Sequence, residues 1–135
     1  MGRALLILLD THVVIWLAQD YRRISAAARA AVAEARKRNR GLAISDITLL
    51  EIVRLANHGR INLIPDEETV LSQIETQFIV LPITVSIAMQ AYDLPARYPN
   101  DPVDRIIGAT ALIEDIPLIT ADREIRKSRA IPAIW

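Results

Sequence analysis

The sequence contains no cysteine and only two histidines, His12 and His58. Disulfide bonds, zinc–thiolate sites and cysteine nucleophiles are therefore excluded. With so little histidine, a structural zinc site is also a poor explanation for any acidic cluster. We interpret both histidines as surface or packing residues. A chain without cysteine suits a reducing compartment, and we expect the protein in the cytoplasm.

Aromatic residues and glycine are scarce as well. Aromatics make up 4% of the 135 residues, whereas hydrophobic residues as a group make up 52%. The core must therefore be aliphatic, which is typical of an α/β protein with a buried parallel sheet. The four glycines include none near a Gly-Lys-Ser/Thr sequence, which disfavours a phosphate-cradling loop. The length predicts a single domain spanning residues 1–135.

The chain has no net charge and no uninterrupted apolar run of membrane length. Residues 4–18 are broken by Asp10 and its polar neighbours, so they make a poor membrane span, and we expect no membrane association. Residues 1–65 carry 10 Lys/Arg and 5 Asp/Glu, whereas residues 66–135 carry 6 and 11. Because no uniform basic field covers the chain, a polyanion would have to bind a local patch.

Short apolar runs alternate with helix-like segments along the chain. Ser25 and either Ser45 or Asp46 are expected N-caps, and Gly41 and Gly59 are expected helix stops. Strands are predicted at residues 5–9, 42–45, 79–81, 118–120 and 131–135, and helices at 13–18, 25–39, 46–58, 66–77, 85–92, 103–114 and 124–128. This alternation predicts a parallel sheet that is covered by helices on both faces.

Four acidic residues stand in apolar surroundings. Asp10 follows the apolar residues 5–9, Glu51 lies within ITLLEIV, Asp104 opens DRIIGATA, and Asp122 follows LITA. An ionised carboxylate is costly to remove from water unless it is paired, hydrogen-bonded or bound to a metal. Ligands of open parallel sheets bind at the carboxyl ends of strands, and Asp10 and Asp122 follow predicted strand ends. We therefore expect the four acids to converge on one rim of the sheet.

Four converging carboxylates would require a cation. Carboxylate oxygens suit Mg²⁺, with Mn²⁺ as a substitute, and without a cation the negative charges would raise one another's pKa values. A bound metal would activate a water molecule and neutralise a phosphodiester. The predicted catalytic residues are also the predicted metal ligands, directly or through water: Asp10, Glu51, Asp104 and Asp122.

These acids also have structural interpretations. Asp10 and Asp122 could each cap the helix that follows them. Glu51 could form a salt bridge with Arg54 or face solvent, although its mid-helix position among apolar neighbours makes a structural role harder to accept.

Further residues could support the site. Asp101 fits an N-cap with Pro102 at the first helical position, and Asp104 three residues on would be its capping-box acid. The N3 position of that helix faces the same rim, so the cap is compatible with a metal role for Asp104. Thr11 and Thr120 could donate hydroxyl hydrogen bonds to a carboxylate or a phosphate, although Thr11 could instead cap a helix.

Four segments resemble, in this order, those of the PIN-domain family, and more narrowly those of the toxin component of VapBC-type toxin–antitoxin systems. They are spread over nearly the whole chain. Within the third segment, the spacing to the following small residues favours Asp104 over Asp101 as the family's acid, and Gly108 stands where the family often carries alanine. The segments are LLDTHVVIWL around Asp10, ISDITLLEIVRLANHGRI around Glu51, DPVDRIIGATAL around Asp104 and PLITAD ending at Asp122.

The resemblance implies a fold and a function. The fold would be a three-layer α/β/α sandwich with a central, mostly parallel sheet of four to five strands. The four matching acids would form a Mg²⁺- or Mn²⁺-dependent ribonuclease site. The resemblance further implies a homodimer and a cognate antitoxin that inserts a segment near the active site.

Basic residues near the rim would contact the RNA substrate. Arg105 is adjacent to Asp104, and Arg123 follows Asp122. Other candidates after Asp122 are Arg126, Lys127 and Arg129. A second cluster consists of Arg36, Lys37, Arg38 and Arg40, and for this cluster a solvated helix end is the preferred interpretation.

The sequence therefore favours a metal-dependent endoribonuclease, with a catalytically inactive PIN-like module for RNA binding or assembly as the alternative. A phosphatase with Asp10 as nucleophile ranks lower. That chemistry usually requires a second acid two residues on, and position 12 is His12.

Overall fold

A computed structural model describes residues 6–38 and 41–135, which contain one five-stranded sheet. Every pair of neighbouring strands is parallel. The strands are β1 (Ile7–Leu9), β2 (Leu42–Ser45), β3 (Ile79–Leu81), β4 (Leu118–Ile119) and β5 (Ala133–Ile134). Their order across the sheet is β3-β2-β1-β4-β5, so the carboxyl ends of β2, β1 and β4 lie side by side.

Helices connect the strands. A 3₁₀ turn at Tyr21–Arg23, which the sequence pattern did not predict, follows the first helix. The helices within the described residues are α1 (Thr11–Gln19), α2 (Ala26–Lys37), α3 (Asp46–Asn57), α4 (Glu67–Gln77), α5 (Val85–Asp93), α6 (Pro102–Glu114) and α7 (Arg123–Ser128).

The layers on the two faces of the sheet follow from the two-residue period of the strands. Leu8 and Leu118 pack on one face with side chains of α6 and α7. Leu9 and Ile119 point to the other face and pack with side chains of α1 and α2. The predicted three-layer α/β/α sandwich is thereby confirmed, with five strands and parallel pairing throughout.

Side-chain caps set most helix starts close to their predicted positions. Ser25 accepts a hydrogen bond from the N–H of Ala28 (3.1 Å). Ser45, rather than Asp46, caps α3 by accepting from the N–H of Ile47 (3.2 Å). A serine oxygen at the N-cap satisfies an N–H that has no partner within the helix, so these starts could be predicted from sequence.

Two helix boundaries differ from the prediction. α1 begins at Thr11 instead of residue 13, because Asp10 is its N-cap. α2 ends at Lys37, where Arg38 is the C-cap, so the predicted stop at Gly41 was wrong. Residues 39 and 5, which the sequence placed at the end of α2 and the start of β1, lie outside the described residues.

The presence of glycine at position 41 has a structural explanation other than a helix stop. It directly precedes β2, and a Cβ atom there would lie 2.4 Å from the Cδ2 atom of Leu6 and 2.5 Å from the Cδ1 atom of Ile79. The glycine thus leaves room for the ends of the Leu6 and Ile79 side chains.

In the described part of the chain, no helix combines the length and the apolar character that a membrane crossing requires.

Gly108, in the helix that carries Asp104, packs closely against Tyr98. A Cβ atom at this position would lie 2.3 Å from the hydroxyl oxygen of Tyr98 and 2.6 Å from its Cζ atom. The Tyr98 side chain is fully buried and packs in the core between the sheet and α6. The glycine is therefore the partner of a large buried ring, which leaves no room for a Cβ atom at this position.

We predict that Gly108→Ala destabilises the protein by about 1–2 kcal/mol through overpacking. In an uncrowded helix interior, replacing glycine by alanine stabilises the folded protein by about 0.5–1 kcal/mol. A loss of stability at position 108 would therefore reveal the crowding. Urea denaturation measures the effect. In a Tyr98→Leu background, Gly108→Ala should destabilise the protein less. Equal destabilisation in both backgrounds would contradict the contact between Gly108 and Tyr98.

Candidate active site

The structure brings the four predicted acids into one cleft at the carboxyl edge of the sheet. The cleft encloses about 420 Å³, which lies within the range of about 300–1,000 Å³ that is usual for ligand sites. Its lining consists of Asp10, Thr11, His12, Trp16, Arg23, Glu51, Asp101, Val103, Asp104, Ala121 and Asp122.

Asp10 is the most deeply buried of these acids, with 7% of its surface exposed. One carboxylate oxygen accepts a hydrogen bond from the N–H of Thr11 (2.9 Å), and the other accepts from the hydroxyl of Thr120 (2.7 Å). Asp10 is thus both the N-cap of α1 and a member of the cleft. These two roles are compatible because the cap uses one oxygen atom.

Thr120 links two acids across the sheet edge. Its buried hydroxyl donates to Asp10 and accepts a hydrogen bond from the N–H of Asp122 (3.1 Å). Thr11 is also buried, and its hydroxyl lies 3.0 Å from that of Thr48. Both threonines therefore hold the base of the cleft together, and only Thr120 contacts a carboxylate through its hydroxyl.

Asp122 and Asp101 cap the helices that follow them. Asp122 accepts hydrogen bonds from the N–H groups of Glu124 (2.8 Å) and Ile125 (3.1 Å). Asp101 accepts from the N–H groups of Val103 (2.8 Å) and Asp104 (3.2 Å). Both caps were anticipated from sequence, and both residues also line the cleft.

The Asp104 carboxylate differs from its neighbours in having no hydrogen bond or ion pair with any residue that the structure describes. The predicted capping box is therefore not formed, since its second bond would run from this carboxylate to the N–H of Asp101. What holds Asp104 is its backbone. Its carbonyl accepts a hydrogen bond from the Tyr98 hydroxyl (2.9 Å), and its N–H donates to Asp101.

Arg105 fixes the loop that contains Tyr98. Its Nε donates to the carbonyl of Ala91 (2.9 Å), and its Nη2 donates to that of Leu94. Its Nη1 donates to the carbonyls of Tyr98 (3.3 Å) and Pro99 (3.1 Å). With its guanidinium committed to four backbone carbonyls, Arg105 is a structural residue, and we do not retain the prediction that it contacts RNA.

Two acids of the cleft, Asp10 and Asp104, have raised pKa values. Burial raises the pKa of Asp10, opposed by the hydrogen bonds from Thr120 and Thr11. Burial also raises the pKa of Asp104 to about 7, reinforced by the negative charges of neighbouring acids, of which Asp10 has the largest effect. A carboxyl with so high a pKa lacks sufficient positive charge around it.

Glu51 enters the cleft from α3. Its carboxylate accepts a hydrogen bond from the Nη1 of Arg54 at 3.0 Å, the salt bridge that the sequence offered as its structural interpretation. The side chain nevertheless lines the cleft, and its charge contributes to the raised pKa of Asp104. Because Arg54 is largely exposed, the pair is a weak one that another cation could displace.

The carboxylates suit a hard divalent cation, although their present arrangement is incomplete. Among residues 6–38 and 41–135, no group of three or more His, Asp or Glu side chains is arranged to hold a metal ion by itself. Mg²⁺ commonly binds through one or two carboxylates and keeps several waters. Asp10 and Asp104 suit that requirement, since both supply carboxylate oxygens to the same cleft.

Sequence reasoning missed an aromatic and basic wall of the cleft. The Arg23 guanidinium lies over the Trp16 ring, 4.4 Å from its centre, and the His12 ring lies 5.9 Å from that of Trp16. All three residues line the cleft. Trp16 is a single apolar residue in an apolar run, and Arg23 lies in a turn that had not been predicted, so neither carried a signal of its own.

Arg123 is exposed at the start of α7 and is absent from the lining.

Comparisons with known proteins agree with this architecture. The PIN domain family matches residues 7–130. Ribonuclease VapC22 of Mycobacterium tuberculosis is 37% identical over 123 residues, which cover 91% of this chain and 92% of that protein.

Solved structures with the same fold include toxin–antitoxin complexes. VapBC2 from Rickettsia felis, bound to a DNA fragment from its promoter, matches with a TM-score of 0.71 at 14% identity, covering 95% of this chain and 96% of that chain. VapBC-1 from nontypeable Haemophilus influenzae matches with a TM-score of 0.71 at 19% identity and the same coverage. DNA-bound VapBC from Salmonella typhimurium gives 0.69 at 22% identity, covering 94% and 95%. This chain therefore belongs to the PIN-domain family, in the VapC-type group that contains Ribonuclease VapC22.

Proposed function

We propose that this protein is the toxin of a VapBC-type pair, a metal-dependent endoribonuclease that hydrolyses RNA phosphodiester bonds in the cytoplasm. The observation that carries the proposal is the Asp104 carboxylate, which has no partner among the described residues and lies in one cleft with the buried Asp10. The relationship to Ribonuclease VapC22 supports RNA as the substrate.

The cation of this site would be Mg²⁺, with Mn²⁺ as a substitute. Asp10 and Asp104 would hold it directly, and Glu51 and Asp122 would hold it directly or through water. When bound, such a cation supplies Lewis acidity toward a phosphodiester and an activated water. Asp122 retains one carboxylate oxygen outside its capping bonds for this purpose.

The remaining residues position these oxygens. Thr120 keeps the Asp10 carboxylate in one orientation, and the cap bond from Thr11 fixes its other oxygen. Tyr98 holds the backbone of Asp104, and burial raises the pKa of its phenol, so the hydroxyl remains a proton donor. Partners that orient ligands in this way are commonly worth 10–100-fold in metal affinity or activity.

We predict that Asp104→Ala and Asp10→Asn each reduce RNA cleavage by about 100-fold or more, because each removes a ligand of the cation. The measurement is cleavage of a mixed pool of structured RNAs by purified protein with Mn²⁺ and with EDTA. Asp115→Asn is the matched control, since Asp115 is exposed at the opposite end of α6 from Asp104.

Cleavage that requires Mn²⁺, Asp10 and Asp104 but tolerates Asp115→Asn would support the nuclease. Full activity of either cleft variant would overturn the assignment of the site. Absence of cleavage together with absence of Mn²⁺ binding in calorimetry would instead favour a catalytically inactive PIN-like module.

We also predict that the titration of Asp104 lowers the stability of the folded protein as the pH rises. Folding raises the pKa of this acid from 3.8 to about 7, so its contribution to stability is present at acidic pH and is lost as the pH rises through about 7. In EDTA, Asp104→Asn should therefore unfold at a higher temperature than the unsubstituted protein at pH 8, and this advantage should fade toward pH 4.

Thermal unfolding across this pH range tests the effect. With added Mn²⁺ at pH 8, the unsubstituted protein should instead unfold at a higher temperature than Asp104→Asn. A ligand that binds only the folded state gives more stability to the protein that binds it better. Identical pH profiles for both proteins in EDTA would contradict the raised pKa.

We further propose that a cognate antitoxin binds this protein, as the toxin–antitoxin composition of its structural relatives suggests. An apolar groove between α1, α3 and α4 suits a hydrophobic segment of such a partner. The groove shares no lining residue with the acidic cleft, so it would add to the segment that the family resemblance places near the active site. Its apolar lining includes Leu17, Ile52, Leu63, Val70, Ile74 and Phe78.

A homodimer is proposed from the exposed face of α5. Val85, Met89 and Tyr92 are 77%, 64% and 87% exposed, and their spacing places them on one side of the helix. Contiguous exposed apolar side chains of this kind mark association surfaces. A second copy would cover them through the same face, because a two-fold interface pairs a patch with itself.

We predict that Met89→Lys with Tyr92→Lys shifts the protein from dimer to monomer, since the charges would be buried without partners at the interface. Analytical ultracentrifugation measures the mass. Ile64→Lys, at a site that is 80% exposed outside this face, is the matched control and should remain dimeric. A dimer that persists in the double variant would place the interface elsewhere.

A further inference from the structure

The acidic cleft presents a problem for a polyanionic substrate. Five of its lining residues are acids, namely Asp10, Glu51, Asp101, Asp104 and Asp122. Even with one divalent cation bound, several negative charges remain near the path of an RNA strand. Like charges at close range cost binding free energy, so the strand requires positive charge from the protein beside the cation.

Among the lining residues, Arg23 is the one with a permanent positive charge. It ends the 3₁₀ turn that follows α1, so its backbone is fixed next to the cleft. The two arginines that the sequence favoured for RNA do not meet this need. Arg105 is committed to backbone carbonyls, and Arg123 lies outside the lining.

The Arg23 guanidinium packs over the Trp16 ring. It lies 4.4 Å from the centre of the Trp16 ring, which is itself braced by Trp135 at 6.0 Å between ring centres. A guanidinium that stacks on an aromatic ring keeps its N–H groups along the edge available for hydrogen bonds. Stacking therefore orients this cation without using its donors.

Those donors have no hydrogen-bond or ion-pair partner within residues 6–38 and 41–135. This is unusual for an arginine that shares a cleft with five carboxylates, because arginine pairs readily with such groups. An arginine that packs over an aromatic ring and has unused donors can bind a phosphate through two N–H groups.

We infer that Arg23, stacked on Trp16, binds a backbone phosphate of the RNA strand that enters the acidic cleft. The inference rests on the proposed ribonuclease function and identifies the residue that gives the site affinity for its polyanionic substrate. In this role Arg23 is a substrate-binding residue and holds no part of the cation site.

The decisive variant is Arg23→Met, which keeps an apolar chain against Trp16 and removes the charge. For an RNA that the unsubstituted protein cleaves in Mn²⁺, KM should rise about 10-fold while kcat changes little, as expected for the loss of one charged hydrogen-bonding contact. The slope of log affinity against log salt should fall by about 1, since one phosphate contact is lost.

Arg22→Met is the matched control, because Arg22 is the exposed neighbour in the same turn and does not line the cleft. It should leave KM and the salt slope unchanged. Arg23→Lys keeps the charge and loses the planar guanidinium, so its KM should lie between those of the unsubstituted protein and Arg23→Met.

Calorimetric titration with Mn²⁺ separates substrate binding from a structural role. Removing a positive charge beside five acids should leave Mn²⁺ affinity equal or tighter, whereas damage to the fold would weaken both Mn²⁺ and RNA binding. Weaker RNA binding with intact Mn²⁺ binding supports the inference. An unchanged KM and salt slope in Arg23→Met, with an active unsubstituted protein, overturns this inference alone. Failure of the unsubstituted protein to cleave any RNA in Mn²⁺ overturns the proposed function and this inference with it.

Discussion

The hydrogen bond between Thr120 and Asp10 is the constraint on which the site depends. It spans 2.7 Å between the ends of two neighbouring strands whose residues are 110 positions apart in the chain. A buried carboxylate without such bonds would be too costly to keep ionised. The same hydroxyl also accepts the N–H of Asp122 and so sets the relation between the two acids. The parallel pairing of β1 and β4 makes this contact possible.

Most acids of the cleft serve the fold and the site together. Asp10, Asp101 and Asp122 each begin a helix, and the N–H groups that they accept from offset part of their negative charge. Asp104 receives no such compensation from described residues, and its pKa is raised to about 7. Among the five acids that line the cleft, Asp104 is the one whose carboxylate has no hydrogen bond or ion pair with a described residue.

Two arginines near the cleft show how contact decides the role of a residue. Arg105 follows Asp104 in sequence, yet its guanidinium is turned to four backbone carbonyls and stabilises a loop. Arg23 is distant in sequence from every acid of the third and fourth segments, and it lies on Trp16 in the cleft wall. Proximity in sequence was a poor guide here, because the direction of a long side chain depends on the segments that pack around it.

The sequence by itself located the strands, several helix N-caps and the four acids that the cleft brings together, because strands and caps depend on local periodicity and on short-range hydrogen bonds. The helix stop at Gly41 and the capping box at Asp104 were wrong. β2 and β3 occur at the predicted residues, and Ser25 and Asp122 cap as expected. Only the tertiary structure decided the strand order, the link from Thr120 to Asp10, the Tyr98–Gly108 contact and the position of Arg23. Those features arise from segments that are far apart in the chain, and their geometry exists only once the sheet and its two helical layers have packed.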